Sequence, residues 1–269
     1  MTLSLTLRTA PTVPLEADTL SPAKLAGLKP ADALKLAVVY GNQRAELGDF
    51  FTAEASPDDA MHLTGDLGRI KFIGAAMADG RLVIHGNVGM HLGATMSGGQ
   101  ILVEGNAGDW VGPEMTGGRI IVRGSAGHLV GSAVRGSTTG MQGGEIFILG
   151  KAGNEIGSGM RRGLVAVAGD CGDFAGVNML AGTIVVLGQM GWRPGAGMKR
   201  GTIVAMQPVE MLPTFTHACT YHPVFLRLYL YHLRMLGLPV TDAQMSGQYQ
   251  RWSGDAIELN RGEILLHQA

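Results

Sequence analysis

From Gly80 to Gly201 one pattern is written repeatedly at a period of nineteen residues. Glycines that start each unit stand at Gly80, Gly99, Gly118, Gly144, Gly163, Gly182 and Gly201. Every gap is nineteen except the one from Gly118 to Gly144, which is seven longer. Within a unit, further glycines fall 6, 9 and 13 residues after the first, as in Gly86, Gly89 and Gly93, and a methionine stands three residues before it, as in Met77 and Met96. Met141 keeps that offset, so the seven extra residues belong to a surface loop between Gly131 and Met141.

A repeat of this length, made of short β-branched runs and glycine corners, specifies stacked supersecondary units rather than one globular core. A parallel β-helix satisfies it, each unit forming a coil whose strand pairs in register with the next about 4.8 Å away. Offsets 2 and 4, such as Ile101 and Val103, face inward by strand alternation, together with the small residues at offset 8 and the apolar ones at offset 12. The outward offset 3 is nevertheless apolar: Val83, Leu102, Ile121, Phe147, Ala166, Val185 and Val204. Such a stripe requires a cover, either the chain's own C-terminal segment or another protein of an assembly.

The repeat extends over residues 61–206, beginning with a strand at Met61 to Gly65. Before it, residues 1–60 read as a small α+β cap with an edge strand at Leu3 to Leu7, a short helix opened by Ser21 and Pro22, and a strand-turn-strand around Gly41-Asn42-Gln43. Caps protect the open end of a solenoid. After it, in residues 207–269, Pro223 opens a helix to Gly237 that is apolar almost all round and is expected to be buried from most sides. A terminal hairpin is expected from Ala256 to Leu259 paired with Glu263 to Leu266.

With a net charge of −1, the chain has no broad nucleic-acid or polybasic membrane footprint. Two cysteines, Cys171 and Cys219, give no disulfide framework and suit a reducing cytoplasm. Neither a signal peptide nor a membrane span is expected.

No chemistry-bearing motif stands out. His217, Cys219 and His222 match no standard zinc spacing, and Cys171 occupies a small inward offset where a core thiol belongs. Asp109 and Asp173 share an offset three coils apart, about 14 Å, too far for paired acid and base work on a glycosidic bond. The repeated glycines lack the lysine and the strand-to-helix context of a nucleotide loop. One charged cluster remains: Arg161 and Arg162 precede one strand, and Lys199 and Arg200 hold the same offsets two coils later, with Arg193 and Arg135 as candidate neighbours. This edge is either a solvated basic surface or a site for an extended polyanion or an acidic partner.

The units GQILVEGNAGDWVGPEMTGG (Gly99 to Gly118) and GTIVVLGQMGWRPGAGMKRG (Gly182 to Gly201), followed by MLPTF and a Tyr-His-Pro helix start, resemble the C subunit of formylmethanofuran dehydrogenase. They also resemble the β-helical C-terminal domain of large glutamate synthase subunits. The version closest in kind is the C subunit of the formyltransferase/hydrolase complex of methylotrophic bacteria. That resemblance implies a right-handed parallel β-helix of about seven coils. It also implies a cytoplasmic hetero-oligomer with amidohydrolase-like, formyltransferase and dehydrogenase-B-like subunits. The assembly would pass a formyl group from formyl-tetrahydromethanopterin to methanofuran or methylofuran and release formate, with the metal on another subunit and no cofactor or catalytic residue on this chain. A molybdenum or tungsten dehydrogenase and a glutamate-synthase-like structural subunit are the alternatives. In this setting Arg161, Arg162, Lys199 and Arg200 would guide a polyanionic carrier tail, while Val83, Leu102, Ile121, Phe147 and Val185 would meet a partner.

Overall fold

The computed structural model describes residues 2–268. The chain opens with β1 (Leu3–Leu7) and β2 (Leu15–Glu16), two single-turn helices α1 (Pro22–Leu25) and α2 (Pro30–Ala33), and the hairpin β3 (Ala37–Tyr40) and β4 (Gln43–Glu46). β5 (Phe51–Ala55), β6 (Met61–Thr64) and β7 (Ile70–Lys71) lead into the repeat. Its strands are β8 (Arg81–His85), β9 (Gln100–Val103), β10 (Arg119–Val122), β11 (Glu145–Ile148), β12 (Leu164–Val167), β13 (Thr183–Val186) and β14 (Arg200–Ala205). β15 (Thr216–Tyr221), α3 (Leu226–Met235), α4 (Asp242–Ser246), β16 (Gln248–Gly254) and β17 (Arg261–Gln268) complete it.

The protein is mainly β, organised by one 13-stranded, mostly parallel sheet in a β-helix-like stack. Along the repeat each strand pairs in register with the strand of the next coil, so Ile101 lies beside Ile120, then Ile146, Val165, Ile184 and Ile203. Offset 8 forms a second ladder of single bridges, Val88 to Ala107 to Ala126 and Ala152 to Cys171 to Met190. Between these walls the methionines that precede each unit by three residues, from Met77 and Met96 to Met179 and Met198, and the offset-12 residues from Leu92 to Ala175 are fully buried. The seven extra residues leave the pairing of β10 with β11 undisturbed, as a loop excursion must.

The ends differ from the sequence expectation in informative ways. β1 is not an edge strand; it lies between β6, its parallel partner, and β5, its antiparallel one. β17 is a further parallel rung on β14, although it follows that strand by some sixty residues. The terminal hairpin is β16 with β17, while Ala256 to Leu259 form the connecting turn. Asp255 anchors that turn, accepting the Gly197 N–H at Oδ2 (2.9 Å) and the Ile257 N–H at Oδ1. Antiparallel strands β5 and β15 therefore close the two edges of the sheet.

A second core lies outside the stack. Phe147, Ala166, Val185 and Val204 of the outward stripe pack with Leu226, Leu230 and Leu233 of α3, and with Tyr249 and Leu265. α3 ends in a Schellman motif: Leu238 N–H donates to Leu233 O, Gly237 N–H donates to Arg234 O, and Gly237 has φ +92°. This helix is not buried from most sides. Only Leu226, Leu230 and Leu233 face the sheet, because the stripe beneath is a single row one helix face can cover.

Candidate functional site

Offset 11 carries non-glycine residues in the left-handed region. Phe72, His91, Trp110, Leu129, Glu155, Phe174 and Arg193 have φ between 53° and 64°. Each costs about 1 kcal/mol or more in an L residue. The strain is offset at successive rungs by a bond to the next, as where the His91 N–H donates to Asp109 O and the Trp110 N–H to His128 O. The conformation stacks the side chains. Phe72 lies over His91 (ring centroids 4.7 Å apart) and His91 over Trp110 (5.1 Å), and Arg193 caps Phe174 at 5.8 Å.

Asp109 and Asp173 are structural. Asp109 Oδ1 accepts the His128 N–H at 2.8 Å, and Asp173 Oδ1 accepts the Trp192 N–H at 2.8 Å. Between them His128 Nδ1 accepts from the Asn154 N–H, and Asn154 Oδ1 from the Asp173 N–H. A similar ladder runs from Asn87 through Asn106 to Ser125. Spacing alone could not reveal that the carboxylates serve the next rung's backbone. Asp109→Ala should cost about 1–2 kcal/mol by leaving the His128 amide without its acceptor, while Asp109→Asn should restore most of it; thermal melts of both variants test this.

On the rungs nearest the N-terminal cap, Asp58, His62, His85 and Glu104 form a chain of three contacts, each 2.9 Å: Asp58 Oδ1 to His62 Nε2, His62 Nδ1 to His85 Nε2, and His85 Nδ1 to Glu104 Oε2. The imidazole hydrogen bonds hold both carboxyls below the usual carboxylate range. Ionised carboxylates only accept, so at each end of the chain an imidazole N–H donates to the carboxylate. Sequence reading missed it because His62 precedes the regular repeat and is brought beside β8 by register alone.

His217, Cys219 and His222 do not converge. His217 sits on β15 edge-on to Trp252, and His222 Nδ1 faces the backbone carbonyls of Ser246 and Gly247. Burial pushes the Cys171 thiol up to about 12, so it is not a ready nucleophile. Among the described residues, no three His, Cys, Asp or Glu side chains are grouped to hold a metal ion.

Arg161 and Arg162 are exposed just before β12, Lys199 and Arg200 are exposed at the start of β14, and β17 adds Arg261 as the register partner of Arg200. Among the described residues, only Lys199 of these has a carboxylate within reach, Glu258 at 3.9 Å. Arg193, stacked on Phe174, and Arg135, in the inserted loop, belong to other parts of the surface. Arg162 lines a cleft of about 520 Å³ with Glu145, Leu164, Leu228, Tyr229 and His232, joining the edge to α3. Glu145 is held there by Arg119 at 2.7 Å and His232 at 3.0 Å.

Of the five stripe residues expected to meet a partner, Phe147 and Val185 are fully covered by their own chain and are core residues. Val83 is nearly closed, and Leu102 and Ile121 are half-buried. Among the described residues, no helix is long and apolar enough to cross a membrane.

Residues 69–219, more than half of the chain, match the GXGXG motif family. The C subunit of the molybdenum-containing formylmethanofuran dehydrogenase 1 of Methanothermobacter thermautotrophicus is 43% identical over 82 residues, 30% of this chain and 20% of that protein. This chain thus matches only about a fifth of that relative's length. The C subunit of the formyltransferase/hydrolase complex of Methylorubrum extorquens is 39% identical over 89 residues, 32% of this chain and 34% of that protein. Structurally, a chain in the crystal structure of the M. extorquens formyltransferase/hydrolase complex with methylofuran superposes with a TM-score of 0.92 at 37% identity, covering 99% of this chain and 100% of that one. The chain therefore belongs to the GXGXG motif family and, within it, to the group of C subunits shared by formylmethanofuran dehydrogenases and formyltransferase/hydrolase complexes.

Proposed function

We propose that this chain is the non-catalytic scaffold of a hetero-oligomeric formyltransferase/hydrolase complex. In this reading the complex moves a formyl group from formyl-tetrahydromethanopterin to methanofuran or methylofuran and then releases formate. The observation that carries it is the end-to-end structural match at 37% identity to a chain of such a complex; in sequence alone, C subunits of dehydrogenases and of a formyltransferase/hydrolase complex match similar thirds of the chain. A stack of in-register rungs with a second, external core is stiff along its axis, which suits holding larger subunits at a fixed separation.

The reading includes a right-handed stack of about seven coils, divided into a cap (1–60), a helix (61–206) and a C-terminal cover (207–269). It places amidohydrolase-like, formyltransferase and dehydrogenase-B-like partners beside the chain in the cytoplasm, with the metal and the carrier chemistry on those partners. Leu102, half-buried, and Ile121, half-buried at the border of the external core, are its contact candidates on the stripe.

Native purification of the tagged chain, with mass spectrometry of the retained subunits and a formyl-transfer assay on the same sample, tests it. Amidohydrolase-like and formyltransferase partners, with activity only in the whole complex, are expected. A molybdenum or tungsten iron–sulfur partner would move the chain to a dehydrogenase, and turnover by the isolated chain would end the scaffold reading.

A further inference from the structure

α3 and the turn before it carry three different stripes. Leu226, Leu230 and Leu233 face the sheet; Tyr229 and His232 lie on the flank that lines the cleft at Arg162; and Val224, Leu228, Tyr231 and Met235 are exposed, Leu228 at the rim of that cleft. The last four are 60–77% exposed, on a helix already docked through a separate stripe. Their spacing of four, three and four residues aligns them along one helix face in the pattern that receives another helix. An apolar row of this kind at the surface marks an interaction site rather than scattered exposure.

Charge decides what fits there. Arg162 lines the cleft beside Tyr229, its offset in the repeat recurs at Arg200, and Arg200 has Arg261 as its register partner. No carboxylate of the chain pairs with Arg161, Arg162, Arg200 or Arg261 among the described residues. The carboxylates around this face are engaged already: Glu145 with Arg119 and His232, Asp242 with Arg234, and Glu258 with Lys199. A second copy docked through this same face would thus bring only carboxylates that are already paired.

From these observations we propose that the outer face of α3 is the docking site for an amphipathic helix of a different protein of the assembly, whose apolar stripe is bordered by carboxylates on the side facing Arg162, Arg200 and Arg261. The proposal rests on the hetero-oligomeric reading for the existence of a partner, but not on which reaction that partner performs. It shifts the contact surface from the stripe that α3 covers to the helix itself.

The test is hydroxyl-radical footprinting of the natively purified complex against the isolated chain, read at Tyr231, Met235 and, on the other outward surface, Leu102. Oxidation of Tyr231 and Met235 should fall several-fold in the complex. Leu228→Asp with Tyr231→Asp, at exposed positions that leave the circular dichroism unchanged, should weaken retention of the protected partner roughly thirtyfold or more. Arg162→Glu with Arg200→Glu should slow its association and remove much of the salt dependence. Equal oxidation in the two samples overturns the proposal, as does a homodimer of the isolated chain with these residues protected. Arginine reversals that weaken binding of a poly-glutamate probe but leave partner retention unchanged would assign the edge to a carrier tail and overturn its part in docking. The identity of the retained partner bears on the reaction, and the footprint on the docking face, so either can fail alone.

Discussion

Gly98→Ala should lower the melting temperature by about 10 °C or abolish soluble expression, although Gly98 lies outside the left-handed region of the backbone map. A Cβ built there would lie 2.0 Å from the Ala78 carbonyl oxygen and 3.0 Å from its carbon. The same collision recurs at Gly117 against Ser97 O and at Gly143 against Thr116 O. The obstacle is backbone held in register on both sides, so relief requires neighbouring rungs to separate. Overpacking costs up to about 3 kcal/mol where side chains can adjust and more where they cannot, which at about 2–4 °C per kcal/mol gives the expected shift. Gly136→Ala is the comparison: φ is +91° but nothing lies within 4 Å, so only conformational strain of about 1–2 kcal/mol applies. Calorimetry should separate the two clearly. Equal shifts would mean that rung spacing yields to a methyl group and that these glycines serve turn geometry alone.

The contrast shows why so much of the stack was legible. A close-approach glycine, an inward isoleucine and a core methionine are each required again at every rung, so selection for one geometry appears as a period in the chain. Residues placed by register across long sequence gaps leave no such trace. β17 joins β14 after about sixty residues, and with it come Arg261 and the buried Ile264 and Leu265. His62 meets His85 for a similar reason, through a strand that precedes the regular repeat. Non-glycine residues at offset 11 were also illegible, because stacking and inter-rung hydrogen bonds, not residue type, hold their positive φ. The basic edge was visible only as two pairs with matching offsets, and its third rung needed the fold.

The C-terminal helix reads as apolar all round, which is correct as composition and incomplete as geometry. Its ten residues present one stripe to the sheet and another to solvent, with an aromatic flank between them at the cleft. A helix buried on one side only would normally be polar on the other. Here the excess is retained at the surface, as expected where a surface becomes interior only on assembly.

Leu230→Asp should release α3 while leaving the stack folded. Leu230 is 1% exposed and packs in the external core, which is distinct from the interior core that runs through the rungs. Replacing it loses the buried side chain and places a carboxylate against Phe147, Val185 and their neighbours, a change of about 3–5 kcal/mol if the helix stayed docked. Undocking avoids the charge burial, and a ten-residue helix is marginal alone in water, so the segment should unravel once free. Amide exchange should then lose protection across Leu226 to Met235 and retain it from β8 to β13, and limited proteolysis should cut near Tyr229. Uniform loss of protection would show instead that the two cores fold as one cooperative unit. Local release would make the docking helix a separable element, held by its inner stripe and available to a partner through its outer one.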